Sequence, residues 1–163
     1  MALTAKTLSL EGLAPLGRRG MLPMTHGLIH GVFCYETAAF LNGMSQFGDD
    51  VLFMYCPGIK ETINTGIIVY YPTETGELNE DECVVRAEGV LVTNPIRTIR
   101  ELIKRNAYAE QVCECLDWWN REYGSLGGIL IDLELNGIQG KLQPYLDAMS
   151  EYGYEYRLWD TIY

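Results

Sequence analysis

Between residues 50 and 93 the apolar positions fall in short runs, and beyond residue 95 they recur every third and fourth position. The runs Val51 to Cys56 and Thr65 to Tyr71 are rich in β-branched and aromatic residues and each is followed by a proline, which predicts two strands. Cys83 to Ala87 and Val90 to Thr93 predict two more, with Glu88 and Gly89 forming a bend or bulge between them. A mixed sheet of about four strands is therefore expected. His30 to Gln46 reads as a short strand running into a helix, where Thr37, Ala38, Ala39 and Leu41 allow close packing and Asn42-Gly43 supplies a left-handed stop.

The second half reads as helical. Asn94 can cap the first turn of a helix and Pro95 suits its first position, after which Ile96, Ile99 and Ile103 point one face inward. Tyr108, Val112, Cys115, Leu116, Trp119 and Tyr123 form a second apolar stripe, closed by Gly124. Ile129 to Leu135 alternates as a strand does, yet Ile131, Leu135, Ile138, Leu142, Leu146 and Met149 also keep helical register. Gly137, Gly140 and Pro144 oppose one continuous helix, so a strand or short helix to 135 and a helix from about 142 to 152 are expected. The tail from Tyr152 to Trp159 alternates and is expected to add an edge strand or an aromatic contact surface. Residues 1–29, with Gly12, Pro15, Gly17, Gly20 and Pro23, read as an irregular arm. Residues 30–163 then make a single α+β domain in which the sheet packs with three to four helices.

Composition agrees with one domain. The chain has 163 residues, of which 48% are hydrophobic and 21% charged, enough for a core and outside the disordered range. No apolar run is long enough to span a membrane, and the start of the chain does not read as a signal peptide, so a cytoplasmic address is expected. Five cysteines, at 34, 56, 83, 113 and 115, are odd in number and lack paired spacing, which argues for reduced thiols, most of them buried as small hydrophobes. His26, His30 and Cys34 are spaced by four, but Gly27 and Gly31 oppose a helix there and a fourth metal ligand is not evident. The formal net charge of -10 changes the picture most, since such a surface repels phosphate backbones and argues against duplex DNA as a partner. Much of the charge sits in Glu74, Glu77, Glu80, Asp81 and Glu82, a loop between strands. That loop serves either solubility or docking to a basic protein, and Trp118 and Trp159 are candidate aromatic anchors for such a partner.

Catalytic constellations are poor. Gly127-Gly128 lacks the lysine of a phosphate loop, and the serines have only two histidines to serve them, both in the arm. Asp132 and Glu134 are spaced as the acidic pair of a metal-dependent nuclease, but Asn136 stands where a lysine would follow, and a strand carrying both on its wet face explains them more simply. No cofactor, metal site or enzymatic activity is expected.

Two blocks carry a more specific signal. The first comprises Gly31, Val32, Phe33, Glu36, Thr37, Ala38, Leu41, Gly43, Met44 and Ser45; the second comprises Arg97, Thr98, Ile99 and Leu102, with Glu101 at its acidic position. Arg97 and Glu101 lie four residues apart, which allows one ion pair on the helix. In order and spacing these blocks resemble the AbiEi family of antitoxins from type IV toxin/antitoxin systems, over roughly residues 30 to 125. Glu101 replaces the family's aspartate, keeping the charge on a longer arm. Members usually begin with a winged helix-turn-helix, and about thirty residues before the first block are too few for one, so a form without its own DNA-binding domain is expected. The resemblance implies an antitoxin-like regulator functionally linked to a nucleotidyltransferase toxin. Two other classes stand beside it: an acidic inhibitor, encoded by a phage or mobile element, that contacts a nucleic-acid-handling host defence protein directly, and a degenerate nuclease-like enzyme.

Overall fold

The computed structural model describes residues 31–47, 50–73, 80–86 and 90–159. Within them the chain alternates between sheet and helix: β1 (Val32–Phe33), α1 (Tyr35–Leu41), β2 (Leu52–Pro57), β3 (Ile63–Asn64), β4 (Ile68–Thr73), β5 (Cys83–Arg86), β6 (Val90–Thr93), α2 (Pro95–Lys104), α3 (Ala109–Tyr123), α4 (Gly127–Leu135) and α5 (Gln143–Glu151). The α+β expectation holds, with six strands in one mixed sheet ordered β3-β4-β2-β1-β6-β5 in place of about four, and five α-helices among the described residues in place of three to four. Beyond those four runs, β1 is the short strand expected ahead of the helix in 30–46, and β3, two residues long, is too short to show a period.

β2 and β4 lie parallel in a register of Leu52 against Ile68 through Pro57 against Thr73, so both strands run through the prolines expected to stop them. The chain reaches this arrangement by laying β3 outside β4 as an antiparallel edge, turning through Gly66 at φ +85°. At the other side β6 runs parallel to β1, and β5 pairs antiparallel to β6. The bend at Glu88 and Gly89 and the arm at 1–29 lie outside the described residues.

Two apolar clusters form. Val32, Phe33, Leu52, Met54, Ile68, Leu91 and Val92 make a sheet core, while Ile99, Leu102, Ile103, Val112, Leu116, Leu126, Ile129, Leu133 and Met149 make a helical core. Helix α1 joins them, giving Ala38 to the first and Ala39 to the second. The start of α2 is built as expected: the Asn94 side chain accepts the Arg97 N–H at 2.9 Å with Pro95 at the first helical position. Gly124 closes α3 in the left-handed conformation at φ +85°. Tyr108 and Tyr123, however, the two ends of the predicted α3 stripe, are exposed.

Residues 127–135 form helix α4, which resolves the ambiguity against a strand. Only Ile129 and Leu133 among its large side chains are fully buried, while Ile131 and Leu135 are exposed, so the apparent alternation reflected apolar residues left on the solvent side. The glycine pair that starts this helix has a packing role. A Cβ at Gly127 would meet the Trp159 ring at 2.9 Å, and one at Gly128 would meet Trp119 at 3.1 Å. The tail forms no strand through Trp159; instead Leu126 N–H donates to the Arg157 carbonyl at 2.7 Å and Arg157 N–H donates to the Asn120 side chain at 3.0 Å. Cys34, Cys56, Cys113 and Cys115 are buried, as small hydrophobes are expected to be.

Candidate functional site

The two sequence blocks meet where α1 packs against α2. Some of their residues set the backbone. Gly31 is buried immediately before β1, and Gly43 takes φ +74° in the turn that ends α1. The Thr37 hydroxyl accepts the Phe53 N–H at 2.8 Å, which fixes α1 to β2. Ala38 is fully buried in the sheet core and Leu41 packs against its margin. The Thr98 hydroxyl lies 2.7 Å from the Asn94 carbonyl and 2.7 Å from the Thr93 hydroxyl, closing the passage from β6 into α2.

The others build a polar network on the wall of a cleft of about 690 Å³. Arg97 Nε donates to Glu101 at 3.3 Å, with both side chains largely covered, at 8% and 15% exposure. The second oxygen of Glu101 accepts the Tyr55 hydroxyl, and the Arg97 guanidinium lies 5.5 Å from the Tyr55 ring centre. Arg97 also reaches Glu82 at 3.7 Å. Arg100 bridges Glu82 and Asp132, the latter at 3.0 Å, so one helical face ties the turn before β5 to α4. At the end of α2, Arg105 pairs with Glu36 at 3.2 Å and stacks 4.2 Å over Tyr35, whose ring packs against Phe53, Tyr55 and Tyr71. Tyr35 itself sits at φ +48°, a left-handed conformation uncommon for a bulky side chain.

Burial sets the protonation of this site. It pushes the Tyr55 hydroxyl far above its usual range, reinforced by Glu101, so Tyr55 stays a neutral donor. Burial likewise raises the Cys34 thiol well above its ordinary value, with Glu101 and Glu36 adding to the effect, and keeps it protonated. For Arg97 burial works against the charge, but Glu101 and Glu82 outweigh it and the guanidinium holds its proton more tightly than usual. Asp132 is raised by burial against the opposing pull of Arg100. The cleft thus offers fixed guanidinium and hydroxyl donors beside carboxylate acceptors.

Other sequence candidates fall differently. Glu74, Glu77 and the side chain of Glu80 lie outside the described residues. Asp81 is exposed, whereas Glu82, expected on an outward-facing acidic loop, turns inward to Arg97 and Arg100. Trp118 is half-buried beside Trp119 and Tyr123 against the helical core, and Trp159 is 58% exposed. Asp132 and Glu134, expected on one wet strand face, stand on helix α4: Asp132 is taken by Arg100 and Glu134 is exposed. Among the described residues no three His, Cys, Asp or Glu side chains are placed to hold a metal ion, and no helix is long and apolar enough to cross a membrane.

Sequence reasoning missed Tyr55, Arg100 and Arg105. Their partners lie on other elements, so no spacing along the chain announces them; the one available signal was the recurrence of cations at 97, 100, 104 and 105, which places three on neighbouring turns of α2 and the fourth at its C-terminal cap. In comparisons with known proteins, no family model matches the chain and no curated sequence matches it significantly.

Proposed function

We propose that this chain is an antitoxin-like regulatory module of the AbiEi kind, counteracting a nucleotidyltransferase toxin. One observation carries the reading: the two blocks that resemble the family are some fifty residues apart along the chain and lie side by side on α1 and α2, joined through Tyr55 and Arg105 around one cleft. A covered polar network that joins these elements fixes one arrangement of them, which a working surface beside it requires.

Co-expression tests it. The chain should relieve growth arrest by a nucleotidyltransferase encoded beside it, and Lys104→Glu, which changes the cleft mouth at an exposed position, should reduce that relief. Unrelieved arrest, with the chain folded and abundant, refutes the proposal.

A second reading, direct inhibition of a basic nucleic-acid-handling protein, draws on exposed Trp159 and Asp81. Neutralising Glu74, Glu77 and Asp81 separates the two. A salt-sensitive complex lost on neutralisation favours the inhibitor, and relief that survives it favours the antitoxin.

A further inference from the structure

We propose that the cleft along α2 binds a small molecule carrying a phosphate group, a nucleoside phosphate being a representative ligand. In a chain of net charge -10, four of the twelve Lys and Arg residues converge on this one cleft: Arg97, Arg100, Lys104 and Arg105. Its volume of about 690 Å³ falls in the range of small-ligand sites. The arginines are held in place before any ligand arrives. Arg105 lies over the Tyr35 ring and commits one guanidinium nitrogen to Glu36, although a guanidinium carries five N–H donors suited to phosphate oxygens.

Carboxylates at 36, 82, 101 and 132 balance the four cations, so excess charge does not provide the attraction. It comes from fixed donors and from Lys104, which is exposed and has no ionic partner among the described residues. Glu82 and Glu101 add acceptors for hydroxyl groups on the body of such a ligand. An independent feature points to the same wall: Tyr35 keeps its left-handed backbone where the cleft, the aromatic cluster and Arg105 meet, and backbone held in such regions concentrates at ligand sites. Binding here does not depend on the antitoxin reading, since a ligand can occupy the cleft whether or not the chain relieves a toxin.

Calorimetric titration of the full chain with inorganic pyrophosphate, adenosine triphosphate and adenosine tests this. Saturable binding of both phosphate compounds is expected, with adenosine inert. Lys104→Glu should weaken it about tenfold, the loss of roughly one charge-assisted contact. Lys60→Glu, an exposed change outside the cleft, should leave it unaltered. Arg105→Gln should weaken it too, with circular dichroism confirming the fold. Absence of saturation by either phosphate compound at about 5 mM overturns the proposal. Equal affinity for adenosine, or an equal loss in Lys60→Glu, also overturns it. Competition by duplex DNA would assign the surface to a nucleic-acid backbone and remove the small-molecule reading.

Discussion

Removing Arg97 should be one of the most damaging single changes available on α2. At an effective dielectric of about 20, unit charges some 3.3 Å apart attract by about 5 kcal/mol, most of which is offset by desolvation of both groups. Arg97→Met keeps the stem and deletes the charge, leaving Glu101 covered and deprived of its only cation among the described contacts. Breaking a buried pair usually costs about 3 to 5 kcal/mol. The Tyr55 hydroxyl still serves Glu101, and Glu82 retains Arg100, so about 2 to 4 kcal/mol is expected, or very roughly 5 to 15 °C in Tm for a chain of this size. Glu101→Leu should cost about as much, because it takes from Arg97 its 3.3 Å partner, with Glu82 standing at 3.7 Å, and removes the acceptor of Tyr55. The double variant removes both charges and should lose only about 1 to 2 kcal/mol, the remaining penalty being the loss of the carboxylate acceptor of Tyr55. Denaturant melts followed by tryptophan fluorescence give the three values. Losses additive within about 0.5 kcal/mol would refute the reasoning, since a covered pair must couple.

Thr37→Val should cost about 1 to 3 kcal/mol, as it strands the Phe53 N–H in a covered position, and a melt indistinguishable from the parent would exclude that role. Asp132 has its carboxyl raised by burial, so the folded state binds its proton more readily than the unfolded chain; its burden on stability is full above the folded pKa and disappears as pH falls toward the ordinary carboxylate value. The stability advantage of the parent over Asp132→Asn should therefore grow as pH falls through that window, and shrinkage would contradict the sign. Duplex DNA should not be retained by the chain at about 150 mM salt in an electrophoretic shift, given a net charge of -10.

Sequence patterns disclosed what is local. Asn94 and Pro95 specify the start of α2, Gly124 specifies the end of α3, and Ile99 and Ile103 specify the inward face, because each acts through a backbone or a spacing within one element. They did not disclose β3, whose pairing depends on its neighbour β4, or the helical state of 127–135, where exposed Ile131 and Leu135 imitate a strand. The ion pair at 97 and 101 could be anticipated from its i,i+4 spacing. That it is covered, and continues into Tyr55, Glu82 and Asp132, depends on the meeting of four separate elements. Glu82 shows the limit most clearly: in sequence it belongs to an acidic run, and in space it serves two arginines.

The position of β1 in the sheet gives that network a mechanical meaning. Among the described residues this strand is the only ladder connection between β3-β4-β2 on one side and β6-β5 on the other, and it engages β2 at two residue pairs and β6 at one. The sheet is thus two panels on a narrow seam. Tyr55 belongs to one panel, Glu101 and Arg97 follow directly from the other, and Glu82 stands at the head of its outer strand, so the polar chain crosses the seam as a clasp. Loosening the clasp should change the angle between the panels before it melts either one, and amide exchange at Val32 and Phe33 should quicken first.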